Sequence, residues 1–456
     1  MFVGREKELM ELRRVMNTGK KEAVLIYGKR RIGKSALISE AAKSFNGIII
    51  EHMCVKSTFE GNLELLNRDV SLALGLPNMH MTSLSDIFRL LSAQSQPVLI
   101  VLDEYQYMKE SAKKGEVDSY MQNIIDHMSD QIRLILCGSY ISVMKELLEE
   151  DNPLFGRFTC IMHIDAFDYK DASLFYPDAD TRDKLIYYAL FGGSPYVLSV
   201  IDTRSTIAEN IKKLLIPSTG LLRMYIENVM LREIGKAYDV RILEVIGNGK
   251  KKYSDIQSVV ARNDNGSLSK QLNHLQDMET ITKVFPINRP DDKKKSFYQI
   301  RDNLMRFYFT FLFGNDGVIS RIGDDAFYKQ FMENGILAFV SRRFEEIVQQ
   351  YFGRIVRSGN RTDILDIGSY WYDDRVHKKN GELDCVVKST AGYEFYECKF
   401  YHHPMTEQEC REEQKQMEAI PDVMPAITGF VCSAGFDFND DKYRLISGDE
   451  LFTEEY

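Results

Sequence analysis

The sequence has few of the features that mark secreted, membrane-spanning or zinc-binding proteins. Its seven cysteines are scattered, odd in number and without C-x-x-C spacing, which predicts neither a disulfide framework nor a zinc site and favours a reducing, cytoplasmic environment. No apolar run reaches the roughly 18 residues of a membrane span, so we expect no membrane partner. The N-terminus lacks the apolar segment of a secretory signal.

The chain also has no excess of positive charge. Its net charge is −9 and its pI about 5.6, which excludes a uniformly basic nucleic-acid-binding protein but allows a local basic surface. We find no low-complexity tract and no repeat of fixed period in the sequence. With 456 residues, 44% hydrophobic and 27% charged, the composition is typical of a globular protein of roughly three domains.

The most specific motif lies in residues 23–42. The apolar run Ala23–Tyr27 predicts a buried strand, the next eight residues match G-x-x-x-x-G-K-[ST], and a helical pattern follows. Backbone N–H groups and a helix N-terminus in this arrangement face the phosphates of ATP or ADP. We assign Lys34 to the β- and γ-phosphates and Ser35 to Mg²⁺. The predicted nucleotide-binding residues of the loop are Gly28, Lys29, Arg30, Arg31, Ile32, Gly33, Lys34, Ser35 and Ala36.

A second apolar run, residues 97–102, ends in two acids, Asp103 and Glu104. Such a run is typical of a buried parallel strand, and ligands bind at the C-terminal ends of the strands in an open α/β sheet. We therefore expect Asp103 to orient Mg²⁺ and Glu104 to act as the base that polarises the attacking water.

The segment F-V-G-R-E-K-E-L at residues 2–9, followed by the phosphate loop, resembles the start of archaeal-type ATPases of the AAA+/STAND-related superfamily. The resemblance implies that Val3, Gly4 and Arg5 border the adenine or ribose. A plain amphipathic helix with a charged outer face is the alternative.

The same resemblance extends to three later positions. It implies that Ser139 senses the γ-phosphate and that Arg157 stabilises charge developing on it. Arg157 could equally form a structural ion pair. Residues 191–195, F-G-G-S-P, resemble the motif at the start of the helical lid of these ATPases.

Residues 238–300 predict three short helices followed by a two-stranded hairpin, which resembles a winged helix-turn-helix. Ser254 is the expected N-cap of the second helix. The third helix and the hairpin loop carry groups that could contact bases and phosphates, namely Ser267, Ser269, Lys270, Asn273, His274 and the three lysines at 293–295. Because the Lys/Arg stripe is sparse and aspartates lie nearby, a purely structural domain is the alternative.

The C-terminal third begins with a predicted helix over residues 336–352, and two alternating segments joined near residue 390 predict paired strands. Side chains repeat every two residues along a strand, so Asp384, Glu397 and Lys399 can converge at one sheet edge. Two carboxylates suit Mg²⁺ or Mn²⁺, and a lysine can orient water or stabilise charge on phosphorus. Candidates to complete this site are Glu345 or Glu346 and Gln414.

This D…E-x-K pattern resembles the PD-(D/E)XK nuclease fold, and its position resembles the DUF234-like region found behind archaeal-type ATPases and a winged helix. The predicted fold class is α/β. The predicted domains are a P-loop ATPase core (1–165), a helical lid (166–236), a winged helix-turn-helix (237–311) and an α/β PD-(D/E)XK nuclease-like domain (312–456).

Taken together, these features predict an ATP-hydrolysing protein, with ATP and Mg²⁺ as cofactors, that couples its nucleotide state to a nuclease acting on nucleic acid, DNA in preference to RNA. Its assembly as a homo-oligomer is left open. The predicted catalytic residues are Glu104, Arg157, Asp384, Glu397 and Lys399, and the predicted metal ligands are Ser35, Asp103, Asp384 and Glu397. The alternatives are a nucleotide-dependent switch or scaffold that cuts nothing and a winged-helix regulator that binds DNA.

Overall fold

The computed structural model describes residues 2–234, 238–260, 266–290, 292, 295–374, 379–420 and 423–453. The chain divides into two compact units, Met1–Ala166 and Phe167–Tyr456. The four predicted domains divide the chain more finely than this, and that division stays a prediction. Within the described ranges, none of the helices combines the length and the apolar character that a bilayer-spanning helix needs.

The N-terminal unit is built on one parallel five-stranded sheet. Its strands are β1 (Glu22–Tyr27), β2 (Ile48–Met53), β3 (Val98–Asp103), β4 (Ile132–Gly138) and β5 (Cys160–His163). Its helices are α1 (Glu6–Met16), α2 (Lys34–Ala42), α3 (Phe59–Leu74), α4 (Leu84–Ser92), α5 (Tyr105–Lys109), α6 (Glu116–His127) and α7 (Ile141–Lys145). The strand order is β2-β3-β4-β1-β5, so β4 lies between β1 and β3.

Strand β1 is buried on both faces of this sheet. Ala23, Leu25 and Tyr27 enter the hydrophobic core on one side, and Val24 and Ile26 enter a second core on the other side. A strand with two buried faces needs apolar residues at consecutive positions, which is the pattern that predicted it. Because the strands are parallel, the loops that follow β1, β3 and β4 meet at one edge of the sheet.

The C-terminal unit begins with helices. They are α8 (Tyr169–Ala172), α9 (Thr181–Phe191), α10 (Pro195–Ser199), α11 (Ile207–Leu214), α12 (Leu221–Tyr225), α13 (Leu231–Glu233), α14 (Arg241–Gly247), α15 (Tyr253–Val260) and α16 (Ser267–Asp277). An antiparallel hairpin, β6 (Ile281–Val284) and β7 (Phe297–Ile300), follows them. The predicted order of three helices and a hairpin over residues 238–300 is present. The predicted cap at Ser254 is wrong, because α15 already begins at Tyr253.

The rest of this unit is a long helix packed on a mixed sheet. The helices are α17 (Asn303–Phe307), α18 (Asp316–Ile322), α19 (Asp324–Phe327), α20 (Glu333–Ser358) and α21 (Glu407–Glu418). The strands are β8 (Ile364–Asp374), β9 (Lys379–Ser389), β10 (Gly392–Lys399), β11 (Ile427–Cys432) and β12 (Arg444–Ser447), in the order β12-β11-β10-β9-β8. Strand β9 is antiparallel to both neighbours, whereas β10, β11 and β12 are parallel.

A buried carboxylate in β10 gives a test of how this sheet is held together. Glu394 is 2% exposed, and it accepts hydrogen bonds from Arg361 Nη2 at 2.6 Å and Tyr396 Oη at 2.9 Å. Replacing Arg361 with methionine leaves this carboxylate buried without its counter-charge, which should cost about 3 kcal/mol of unfolding free energy and lower the melting temperature by several degrees. Thermal unfolding followed by circular dichroism measures the shift.

The matched control for this experiment is Arg411→Met, because Arg411 pairs with Glu407 on the exposed surface of α21. Exposed ion pairs contribute at most about 1 kcal/mol. A melting temperature for Arg361→Met that falls no further than that of the control would contradict the assignment.

Candidate functional site

The phosphate-loop residues curl tightly between β1 and α2. A Cβ atom at Gly28 would lie 2.2 Å from the carbonyl oxygen of Ile164, so only glycine fits there. Gly33 has a φ of 92° at the N-terminus of α2, a conformation that other residues rarely adopt. The first N–H groups of α2 are left without a capping side chain and are available to an anion.

The two side chains to which the sequence analysis assigned roles at the end of this loop, Lys34 and Ser35, each form hydrogen bonds. Lys34 is buried, and its Nζ donates hydrogen bonds to the carbonyl oxygens of Gly28 and Lys29 at 2.9 Å each. Ser35 Oγ donates to Asp103 Oδ2 at 2.6 Å. The loop after β1 and the end of β3 therefore meet, and the hydroxyl and carboxylate are oxygen ligands of the kind that Mg²⁺ prefers.

Glu104 and Ser139 also lie together. Ser139 Oγ donates to Glu104 Oε2 at 2.7 Å, and the side-chain amide of Gln106 donates to the same oxygen. Arg30 Nε lies 3.3 Å from Ser139 Oγ and 4.0 Å from Glu104 Oε1. Glu104 itself has a φ of 54°, an unusual backbone conformation for glutamate of the kind that occurs at active sites.

Gln106 was missed by the sequence analysis because no motif contains it. Its position on the first turn of α5, two residues after Glu104, is the signal that could have found it.

A cavity of about 530 Å³ lies over these groups, within the range of pockets that hold small ligands. Its lining contains Arg30, Arg31, Gly33, Lys34, Ser35, Ala36, Asp103 and Glu104 from the predicted set, and Met53, Cys54, Val55, Lys56 and Tyr107 in addition. The additional residues lie at the end of β2, directly after it, or on α5, where no motif marks them. Burial and the nearby acids raise the pKa of Cys54 to about 12, so its thiol stays neutral.

Three predicted residues have other contacts. The Ile32 side chain lies in the hydrophobic core, so only its backbone can serve a phosphate. Arg5 Nη2 lies 3.4 Å from the carbonyl oxygen of Ile32, next to the phosphate loop. Arg157 Nε donates to Asp126 Oδ1 at 3.1 Å, which is the structural ion pair named as the alternative, and its role toward the γ-phosphate stays a prediction.

In the C-terminal unit, the predicted nuclease residues come together on α20, β9 and β10. We call Glu345, Glu382, Asp384 and Glu397 the acidic cluster. Glu345 on α20 is hydrogen-bonded to Asp384 on β9, and it interacts electrostatically with Glu397 on β10. Lys399 Nζ lies 2.8 Å from Glu397 Oε1. The predicted convergence of Asp384, Glu397 and Lys399 is therefore present.

The structure decides between the helical candidates of this site. Glu346 receives hydrogen bonds from Arg306 Nη1 at 2.7 and 2.8 Å and is already neutralised, so Glu345 is the helical member. Gln414 accepts hydrogen bonds from Tyr443 Oη at 2.6 Å and Lys442 Nζ at 3.0 Å, so these contacts do not join it to the acidic cluster.

The neighbour of Gln414, Glu413, instead contacts Lys399 Nζ at 2.8 Å. Glu413 is one position from the expected residue on α21, a shift of about 100° around the helix.

The acidic cluster carries negative charge in a partly desolvated place. Burial, followed by the charge of Asp384, raises the pKa of Glu345 to about 9, and the protonated carboxyl donates to Asp384. Burial also raises the pKa of Asp384 and of Glu397, although Lys250 and Lys399 act in the opposite direction. Carboxyl groups whose pKa values are raised together repel one another when they are all ionised. A bound divalent cation would neutralise that charge, so this pattern is typical of a cation site.

Lys250 is a further residue that sequence reasoning missed. It lies in the loop between α14 and α15, more than a hundred positions before the acids, and its Nζ is 2.9 Å from Glu382 Oε1 and 3.4 Å from Asp384 Oδ1. Nothing in the sequence around Gly249-Lys250-Lys251 signals this long-range contact.

The exposed face of α16 agrees in part with its prediction. Ser267, Ser269, Lys270 and Asn273 are exposed, whereas His274 is half-buried with Nε2 3.3 Å from the carbonyl oxygen of Ile234. Of the three hairpin lysines, 293 and 294 lie outside the described residues. Lys295 Nζ lies 4.2 Å from the ring centre of Trp371 and is a surface contact of the sheet.

Comparison with known proteins gives matches over both parts of the chain. An uncharacterized protein of Methanocaldococcus jannaschii is 26% identical over 395 residues, which cover 85% of this chain and 84% of the relative. Among solved structures, a Walker-type ATPase of Pyrococcus abyssi aligns with a TM-score of 0.49 at 19% identity, over 68% of this chain and 96% of that one. The ORC2 protein of Aeropyrum pernix aligns with a TM-score of 0.44 at 14% identity, over 70% and 94%.

Two family profiles match separate segments. Residues 2–201 match a family described as an ATPase domain predominantly from Archaea. Residues 308–413 match DUF234, described as archaeal and bacterial proteins of unknown function. The phosphate loop, Asp103 and Glu104 all lie inside the first segment, and Glu345, Asp384 and Glu397 lie inside the second. This chain is therefore similar to the archaeal ATPase-domain family over residues 2–201 and to DUF234 over residues 308–413.

Proposed function

We propose that this protein couples ATP hydrolysis to metal-dependent cleavage of nucleic acid, DNA in preference to RNA. The observation that carries the proposal is the convergence of Glu345, Asp384, Glu397 and Lys399 in the same chain as an ATPase domain with a formed phosphate loop. Either feature alone supports a narrower function. Their combination supports a nuclease whose action depends on nucleotide.

In the ATPase domain, each group around the cavity has a distinct role. Lys34 and the N-terminus of α2 bind the β- and γ-phosphates, and Ser35 with Asp103 would hold Mg²⁺, which supplies charge neutralisation to the phosphates. Glu104 takes a proton from the attacking water as the oxygen bonds to the γ-phosphorus and the bond to ADP breaks. Ser139, Gln106 and Arg30 fix the direction of the Glu104 carboxylate.

In the C-terminal unit, Glu345, Asp384 and Glu397 offer the oxygen atoms that would hold a divalent cation, which supplies charge neutralisation at the scissile phosphate. Lys399 is positioned by Glu397 and Glu413, each of which has a carboxylate oxygen 2.8 Å from its ammonium nitrogen. It can orient the attacking water or stabilise charge that develops on phosphorus as the phosphodiester bond breaks.

The segment of three helices and a hairpin is proposed to contact the nucleic acid through its third helix, α16. Lys270 and Asn273 are exposed on α16, where they can reach bases or phosphates. The hairpin is less free, because the backbone N–H of Ile287 donates to the carbonyl oxygen of Ser369 on β8 at 2.8 Å. We therefore assign any nucleic-acid contact of this segment to α16 and not to the hairpin.

Replacing Lys34 with methionine tests the nucleotide-binding role. The substitution removes the charged donor from the loop, and we expect the affinity for ATP to fall by about a hundredfold, since hydrogen bonds from charged groups contribute ~1.5–3 kcal/mol each. Calorimetry with ATP and Mg²⁺ measures the affinity. Lys43→Met, which removes an exposed lysine just after the same helix, is the matched control. Equal affinities for the two variants would contradict the assignment.

The decisive experiment is a cleavage assay on single-stranded DNA, double-stranded DNA and RNA, with Mg²⁺ or Mn²⁺, with and without ATP. Cleavage by the wild type that is lost in Glu397→Gln establishes the nuclease. A change of cleavage in Lys34→Met then shows whether nucleotide binding controls it. If the wild type cuts no substrate, a switch that hydrolyses ATP and changes partners is left as the function.

A further inference from the structure

The side chain of Lys250 approaches the acidic cluster from a different segment of the chain. Its Nζ contacts Glu382 Oε1 at 2.9 Å and Asp384 Oδ1 at 3.4 Å, and the side chain is 28% exposed. Asp384 is also a proposed metal ligand. An ammonium group and a divalent cation that are drawn to the same carboxylate repel each other and compete for its lone pairs.

The loop that carries Lys250 is held in place by its neighbours. The backbone N–H of Lys251 donates to the carbonyl oxygen of Tyr298 at 3.0 Å, and the N–H of Tyr298 donates back at 2.7 Å. The next residue, Lys252, has its Nζ 5.3 Å from the ring centre of Trp371. Because its neighbours are anchored on both β7 and β8, Lys250 is directed toward β9 by the fold.

Both carboxylate oxygens of Glu382 accept hydrogen bonds, which fix its position beside Lys250. One of its oxygens accepts from Lys250, and the other accepts from Trp371 Nε1 at 3.3 Å. The contact of Lys250 with Glu382 is the shorter one, whereas its contact with Asp384 is the longer. A small movement of the ammonium group can therefore release Asp384 without breaking the pair with Glu382.

We propose that Lys250 is a built-in counter-ion of the proposed metal centre. When no divalent cation is bound, the Lys250 ammonium group pairs with both Asp384 and Glu382. When the cation binds, the ammonium group leaves Asp384 and pairs with Glu382 alone. The inference rests on the proposed function, since it requires a cation at Asp384 and Glu397. It makes Lys250 the residue that sets the cation affinity of the site. It also links the occupancy of that site to the loop between α14 and α15, which belongs to the segment proposed to contact nucleic acid.

The test is a titration of the full-length, nucleotide-free protein with MnCl₂, followed by calorimetry and by the emission of Trp371, the one tryptophan of the sequence. Lys250→Met removes the competing charge and is expected to bind Mn²⁺ about tenfold more tightly than the wild type. Lys251→Met removes an equal charge one position along and is expected to bind as the wild type does. Glu397→Gln shows which part of the binding belongs to this site.

Two further measurements separate loss of folding from loss of the counter-ion. Melting temperatures of all variants report folding, and Lys250→Arg, which keeps the positive charge, is expected to retain the affinity of the wild type. The inference is supported if Lys250→Met binds Mn²⁺ more tightly than the wild type does and this binding depends on Glu397. It is also supported if Lys250→Met shows Glu397-dependent binding of Mn²⁺ and the wild type shows none. Wild-type binding that depends on Glu397 but is unchanged or weakened in Lys250→Met overturns this inference and leaves the metal centre standing. If neither the wild type nor Lys250→Met shows Glu397-dependent binding of Mn²⁺, both this inference and the proposed metal centre are overturned.

Discussion

Replacing Glu104 with glutamine is expected to leave ATP binding intact and to lower kcat for ATP hydrolysis by roughly 10²–10⁴-fold, the contribution of a general base. Glutamine keeps the shape of the side chain and an oxygen that can accept from Ser139 and Gln106. It cannot take the proton of the attacking water. Release of phosphate under saturating ATP measures kcat, and calorimetry measures binding.

The control for this variant is Glu110→Gln. Glu110 is exposed and directly follows α5, so it lies close to Glu104 in the sequence but does not line the cavity. A Glu104→Gln protein that turns over ATP within a factor of a few of this control would contradict the assignment of the base. Loss of ATP binding in Glu104→Gln would instead show that the carboxylate holds the nucleotide site together.

Replacing Glu397 with glutamine is expected to remove metal-dependent cleavage, with a fall of at least ~10²-fold in the rate. Glu397 pairs with Lys399 on its own strand and interacts electrostatically with Asp384, so the substitution removes a carboxylate oxygen from the acidic cluster. The same variant should lose the binding of Mn²⁺ at this site. Gel assays of labelled nucleic acid measure the rate.

Glu412→Gln is the control for the nuclease prediction. Glu412 is exposed on α21 and accepts a hydrogen bond from Gln408 on the same helix, so it leaves the acidic cluster unchanged. Retained cleavage in Glu397→Gln would contradict the proposed metal centre. Cleavage that is lost equally in the control would point to damage to the fold.

The ATPase half of the chain was predictable because its chemistry is local in sequence. Lys34 and Ser35 follow β1 within eight residues, and Asp103 ends β3, so each lies at the C-terminal end of a strand whose apolar pattern is visible in the sequence. Parallel pairing then brings these ends to one edge. That Ser35 and Asp103 meet at 2.6 Å follows from two local patterns and one general rule of sheet construction.

The C-terminal site was predictable only in part. The period of two along a strand correctly places Glu397 and Lys399 on one face of β10, where their side chains are 2.8 Å apart. The choice between Glu345 and Glu346 could not be made, because consecutive residues on a helix point about 100° apart and the sequence does not say which direction faces the sheet. Packing of α20 on the sheet makes that choice.

By itself, the sequence determined the elements, the phosphate loop and the acids at the strand ends, because hydrophobic periodicity and turn chemistry act over a few residues. Tertiary structure decided which charged groups neutralise one another. Lys250 contacts Asp384, which lies 134 positions further along the chain, and Arg157 pairs with Asp126 although no sequence motif links the two residues. Electrostatic partners are chosen by distance in space, and the packing that sets those distances leaves no local pattern in the sequence.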